Sequence, residues 1–273
     1  MVDVAKKRMV FAFYLNDKTF ENKFNQLHFK LLKRYINIFD EVIFGIIVDK
    51  DIDVEVINRF QCLILSFYHK NISFHIYENT EYREALVFYN EIVCKMGILD
   101  DWTFYGHNKH TSSIDENELI EWICGLYYFN LEALCEIDGQ ATNSVIPIDM
   151  TGLCFYGNPL LTESNFNIKA VRNKYAYYYA GNFFWGRYQE VDRLLKNYNI
   201  PVPKLTNRYY GEMFPGELMD ANGFCFSLYG RYIIGNTLNI DDVYYNICSD
   251  GYEHIYNNFL ASIEELMSNE NIG

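Results

Sequence analysis

Between residues 9 and 105 the chain alternates short apolar runs with stretches whose hydrophobic residues return every three or four positions. Few architectures accept that rhythm. Residues 9–15 are apolar at every position, as in a strand covered on both faces. Phe24, Leu27, Leu31, Tyr35 and Ile38 follow at helical spacing and predict an amphipathic helix. Val42 to Val48 is a second buried strand that closes on Asp49-Lys50-Asp51. A helix over 54–68 leads to a third strand, Ser73 to Tyr77. Thr80 can cap the next helix, which carries Ala85, Tyr89, Ile92 and Met96 along one face, and Trp102 to Tyr105 is a fourth strand. Strands separated by helices pair in parallel, so the fold class is α/β: a doubly wound, mostly parallel sheet with helices on both faces.

Beyond the fourth strand a polar loop runs from Gly106 to Ser113, and Asp115 with Glu118 makes a capping box for a helix bearing Leu119, Ile123, Leu126 and Asn130. From Asp138 to Lys174 periodicity weakens while Gly, Asn, Pro and Thr accumulate, which predicts short strands and binding loops. An aromatic run, Tyr177 to Tyr179, then enters a Gly181-Asn182 corner and leaves into a helical pattern (Val191, Leu194, Leu195, Tyr198) that Pro201-Val202-Pro203 ends. Short strands and turns over 222–247 and an amphipathic helix over 253–268 (Ile255, Phe259, Ile263, Leu266) complete the chain. No repeat and no clean linker interrupts it. We therefore expect one domain over 1–273: a nucleotide-binding half (1–110), an acceptor and catalytic half (111–220) and C-terminal strands with a helix (221–273).

Charge narrows the function classes. A net charge of −13 argues against nucleic acid as the main partner, because phosphate contacts need clustered Lys and Arg. Seven cysteines, scattered and without a Cys-x-x-Cys pair, read as reduced thiols in a cytoplasmic protein. Lys6-Lys7-Arg8 ahead of the first apolar run mimics a signal peptide, but that run is short, ends in Asn16-Asp17 and has no small-residue cleavage site. No apolar run is long enough to span a bilayer.

In a doubly wound sheet ligands bind beyond the carboxyl ends of the strands. That rule selects Asn16-Asp17, Asp49, Glu78-Asn79, His107 to Lys109 and the 177–187 corner. In the corner, Gly181 permits close approach, Asn182 can donate and accept at once, and Trp185 offers a flat apolar face of the kind sugars stack on. The other reading of those aromatics is plain core.

Three segments carry a resemblance. Ala180-Gly-Asn-Phe-Phe-Trp-Gly-Arg187 resembles the (Ser/Ala)-Gly-Asn-Phe-Trp-Trp corner of a group of bacterial and viral polysaccharide-building glycosyltransferases. Upstream, Trp102-Thr-Phe-Tyr-Gly-His107-Asn-Lys109-His resembles their strand ending in Tyr-x-His-Thr-Lys-Gly, with Asn108 and His110 departing from it. Downstream, Arg208-Tyr-Tyr-Gly-Glu212-Met-Phe-Pro-Gly216-Glu217 resembles their Arg-Tyr-x-x-Glu-x-(Trp/Phe)-x-Gly segment. The resemblance implies a GT-A-type fold and transfer of a sugar from a nucleotide-diphosphate donor, UDP-linked, to a surface or capsular glycan or lipid-linked glycan acceptor. Donor contacts then fall to Asn16, Asp49, His107, Lys109 and Asn182, and acceptor contacts to Gly181, Trp185, Arg208 and Glu217. Glu212 is the first choice for the base that deprotonates the acceptor hydroxyl, with Asp149 and Glu217 as the alternatives. Asp49-Lys50-Asp51 looks like an Asp-x-Asp metal motif but follows the second strand rather than the fourth, so no metal ligand is assigned. Mn²⁺ or Mg²⁺ stays open as a cofactor, with weak or absent metal dependence expected. The competing functions are a non-catalytic sugar- or nucleotide-binding protein on the same scaffold, and an interaction module.

Overall fold

Strand β1 (Lys7–Leu15) is the axis of the computed structural model, and its two sides sort the core. Met9, Phe11, Phe13 and Leu15 point into one hydrophobic layer, while Val10 and Ala12 point into another. This is the two-residue period of a strand buried on both faces. The structure describes residues 6–99, 102–108, 116–132, 155–157, 160–162, 177–179, 182–211, 214, 225–226, 257, 260–261, 264–266 and 268.

Helices α1 (Lys23–Tyr35), α2 (Val54–Phe67) and α4 (Glu116–Tyr127) cover the first layer. Helices α3 (Glu84–Glu91) and α5 (Tyr188–Tyr198) cover the second. Between them lies a seven-stranded sheet in the order β3-β2-β1-β4-β8-β5-β9. Strands β2 (Glu41–Val48), β3 (Asn71–Glu78) and β4 (Trp102–His107) run parallel with β1. Beyond β4 the sheet turns mixed. β8 (Phe184–Arg187) is antiparallel to both β4 and β5 (Phe155–Gly157), and β9 (Cys225–Phe226) is parallel to β5. β6 (Leu160–Thr162) and β7 (Tyr177–Tyr179) form a separate antiparallel pair. The doubly wound, mostly parallel α/β architecture is thus the one the alternating pattern predicts.

Local chemistry accounts for the close packing. Asn22 caps α1 by accepting from the Phe24 and Asn25 N–H groups. At Gly45 in β2 a Cβ would lie 2.2 Å from Val87 of α3, so only a glycine lets that helix lie so close. At the sheet edge Glu91, 3% exposed, accepts from His75 Nδ1 (2.7 Å), the Tyr77 hydroxyl and Lys95 Nζ (2.5 Å). Burial pushes its carboxyl upward, yet these donors outweigh burial and leave it below the usual range.

Three local expectations change. Thr80 forms a turn with Tyr82 instead of capping α3; Arg83 holds the N-cap position at φ 48°, a left-handed conformation for a non-glycine residue. That helix ends at Glu91, and Met96 lies in a 3-10 turn over Val93–Ile98. Residues 184–187, expected to open a helix, are a strand whose side chains alternate: Phe183 and Trp185 enter the first layer and Phe184 the second. The helix starts only at Tyr188 and stops at Asn199 in the left-handed conformation, ahead of Pro201. The capping pair Asp115 and Glu118 lies outside the described residues or side chains, whereas the described residues between 257 and 268 are helical, as expected. No helix among the described residues is long and apolar enough to cross a membrane.

Candidate functional site

The register of the parallel strands brings four polar ends to one rim. Leu15 pairs with Val48 and Val48 with Glu78, so Asn16, Asp49 and Asn79 leave the sheet side by side; Ala12 pairs with His107, which puts Asn108 next to them. Each strand ends there because the apolar run gives way to a side chain that prefers local hydrogen bonds to a ladder.

Asp49 lies at the centre of this rim. Its Oδ2 accepts from the Tyr14 hydroxyl (2.6 Å) and its Oδ1 from Asn79 Nδ2 (2.8 Å). These two donors, Tyr14 first, hold its carboxyl below the ordinary range. Tyr14 is shifted the opposite way: burial and the Asp49 carboxylate raise its hydroxyl, while Asn16 and the Arg83 cation ease it back. Arg83 therefore lies within electrostatic reach of Tyr14, on the strained turn that follows β3. The result is a half-exposed carboxylate of fixed orientation with an aromatic hydroxyl and an amide bonded to it. Such a group accepts hydrogen bonds from N–H and O–H donors of a ligand.

Asn16 and Asn108 brace the rim. The Asn16 N–H donates to Thr19 Oγ1 (2.7 Å), and its Oδ1 accepts from the Lys18 N–H (3.0 Å), closing the loop after β1. Asn108 accepts from the Tyr14 N–H (2.7 Å) and donates to the Tyr14 carbonyl (3.1 Å) and to Asn25 Oδ1 (3.0 Å), which ties β1 to α1.

The remaining sequence candidates fall elsewhere. His107 ends β4 but is buried, with its ring 6.3 Å from that of Phe183. Trp185, expected to face a sugar, is 0% exposed: it stacks on Phe39 at 5.4 Å, lies 5.3 Å from Phe104, and donates its indole N–H to the Asn130 carbonyl (2.9 Å). Its acceptor-facing role is corrected to a core role, because the strand period turns it into the first layer. Asn182 is buried at φ 56°, and a Cβ on Gly211 would meet its Oδ1 at 2.9 Å. Arg208 is half-buried, its guanidinium 4.6 Å from the Tyr209 ring centroid and bonded to that hydroxyl. Lys109, Asp149, Gly181, Glu212 and Glu217 lie outside the described residues. The sequence reading missed Tyr14 and Arg83. Tyr14 carries the one hydroxyl in the apolar run 9–15, which is the signal that could have singled it out.

Among the described residues no three His, Cys, Asp or Glu side chains converge as a cation would need, and both Asp49 oxygens already take protein donors.

No family model and no curated protein matches the chain. Among solved structures it is similar to 4-diphosphocytidyl-2C-methyl-D-erythritol synthase from Anaerococcus prevotii, at 14% identity and a TM-score of 0.37, over 89% of this chain and 98% of that one. At that score the likeness bears on neither chemistry nor substrate.

Proposed function

We propose that the chain is a transferase that takes a sugar from a nucleoside diphosphate donor, UDP-linked, and passes it to a surface or capsular glycan. The observation that carries this reading is the Asp49 carboxylate at the carboxyl ends of the parallel strands, held open by Tyr14 and Asn79. A carboxylate so fixed suits the N–H of a base or the hydroxyls of a ribose, and ligands of doubly wound sheets bind at that rim. The diphosphate would be met by Lys109, with Arg83 as a second cation. Glu212 takes the proton of the acceptor hydroxyl as its oxygen attacks the anomeric carbon and the nucleoside diphosphate departs; Asp149 is the alternative base. Gly181, Arg208 and Glu217 are the acceptor contacts, and the cytoplasm is the expected compartment.

Two measurements test the reading. Saturating UDP should stabilise the fold by about 2.7 kcal/mol at a hundredfold excess over its dissociation constant, seen as a rise in Tm. If no nucleoside diphosphate moves the transition at millimolar concentration, the nucleotide reading fails. Glu212→Gln should leave UDP binding intact and lower transfer by roughly 10²–10⁴-fold. Donor hydrolysis with and without EDTA should differ little; loss on chelation that Mn²⁺ restores would return the metal role to Asp49-Lys50-Asp51. The alternative is a non-catalytic sugar- or nucleotide-binding protein. It predicts the same UDP shift with no donor turnover under any of these conditions.

A further inference from the structure

The parallel sheet ends at β3, and its outer edge has no strand paired to it among the described residues. The Asn79 N–H donates inward to the Val48 carbonyl (2.7 Å), so in a parallel ladder the alternate residues Ile72, Phe74, Ile76 and Glu78 turn their N–H and C=O groups outward. Folded proteins usually blunt such an edge with Lys, Pro or a bulge. Residues 71–77 (Asn-Ile-Ser-Phe-His-Ile-Tyr) carry no proline, lysine or arginine, and the strand pairs with β2 without a break over its whole length.

The surface beside this edge is apolar as well. Ile76 is 56% exposed on the strand itself. Arg59 of α2 reaches Phe20, near α1, at 4.2 Å, which marks the flank of α2 facing inward. Val54 and Leu65, at helical spacing on the opposite flank, are 64% and 43% exposed. Ile76 of β3 and Val54 and Leu65 of α2 are thus three of the large hydrophobic side chains left in solvent.

We propose that this edge pairs with β3 of a second copy, antiparallel, with the two-fold axis at Phe74. That register sets Phe74 opposite Phe74 and Ile72 opposite Ile76 of the partner subunit. A shift by one hydrogen-bonded step would instead set Ile72 against Glu78 in one direction, or Ile76 against Lys70 in the other. Apolar residues then face apolar ones on the α2 side, and the outward N–H and C=O groups of each strand are satisfied. The two sheets become one continuous sheet across the axis.

Light scattering after gel filtration tests this directly. The wild-type chain should elute at twice 32.3 kDa. Ile76→Lys adds a charge to the exposed centre, and Ile76→Pro removes an N–H that points away from β2 and so spares the fold. Each should weaken the dimer by about 100-fold while leaving the circular dichroism of the monomer unchanged. Ile72→Cys combined with Ile76→Cys should crosslink two chains on mild oxidation, since hydrogen-bonded partners bring Cα atoms to about 5.5 Å. Either cysteine alone should behave as the wild type. A wild type that stays monomeric at the highest concentration it tolerates in solution overturns the proposal. So does a dimer that neither Ile76 variant disturbs, or a double-cysteine chain that does not crosslink.

Discussion

The rim around Asp49 and the aromatic corner at 182–188 were both readable as ligand-facing, and they have opposite fates. At the rim, hydrogen bonds hold Tyr14, Asp49 and Asn79 in a half-exposed cluster. In the corner, Phe183, Phe184, Trp185 and Tyr188 are all 0% exposed and split between the two hydrophobic layers. The difference lies in position along a strand rather than in residue type. Residues just past a strand end are free to leave the sheet, and Asn16, Asp49 and Asn79 reach solvent there, whereas residues within a strand are committed to one face or the other. An aromatic within a central strand therefore becomes core, however well it suits a sugar.

The sharpest way to break the comparison is Trp185→Ala. It empties a site between Phe39 and Phe104 and leaves the Asn130 carbonyl without its indole donor, so urea unfolding should show a loss of about 3–5 kcal/mol. Unchanged stability with lost sugar binding would instead make Trp185 a ligand platform.

At the rim, Asp49→Asn should do the reverse. Losing a charged acceptor is worth about 1.5–3 kcal/mol of ligand hydrogen bonding, or roughly 10- to 100-fold in UDP affinity by calorimetry, with little change in Tm. If affinity holds, the nucleotide contacts another part of the molecule.

Asn182 joins the two regions. Its left-handed backbone costs a β-branched residue about 1–2 kcal/mol, so Asn182→Val should lower stability by that amount while Asn182→Gly stays near wild type. Should Asn182→Gly retain UDP binding yet lose selectivity for the donor sugar, the corner would regain a ligand role through Asn182 rather than Trp185.

The smallest effect is on pH dependence. Asp49 has a folded-state pKa below its ordinary value of 3.8, so its contribution to stability is present above that pH and is lost as pH falls through the lower, folded-state value. The stability difference between wild type and Asp49→Asn should therefore be constant from neutral pH to about pH 5 and vanish in stronger acid. The deficit of Trp185→Ala should persist across the same range, since cavity formation involves no proton.

By itself the sequence determined the first four strands, the helices between them and the parallel α/β class. Runs such as 9–15 and 42–48 suit only strands buried on both faces, and their amphipathic neighbours suit only helices laid over them. It also located Asp49 and Asn79 at the rim, because strand ends can be read wherever an apolar run stops. Only the tertiary structure decided that Tyr14 and Asn79 share one carboxylate, since the residues are far apart in the chain and meet through strand register. Only the tertiary structure turned 184–187 into an antiparallel strand beside β4: two aromatics, a glycine and an arginine support a helix start or a strand equally well until a neighbouring edge supplies hydrogen-bond partners. That pairing buried Trp185, because a strand placed between β4 and β5 lies inside the sheet, where a hydrophobic layer covers each face.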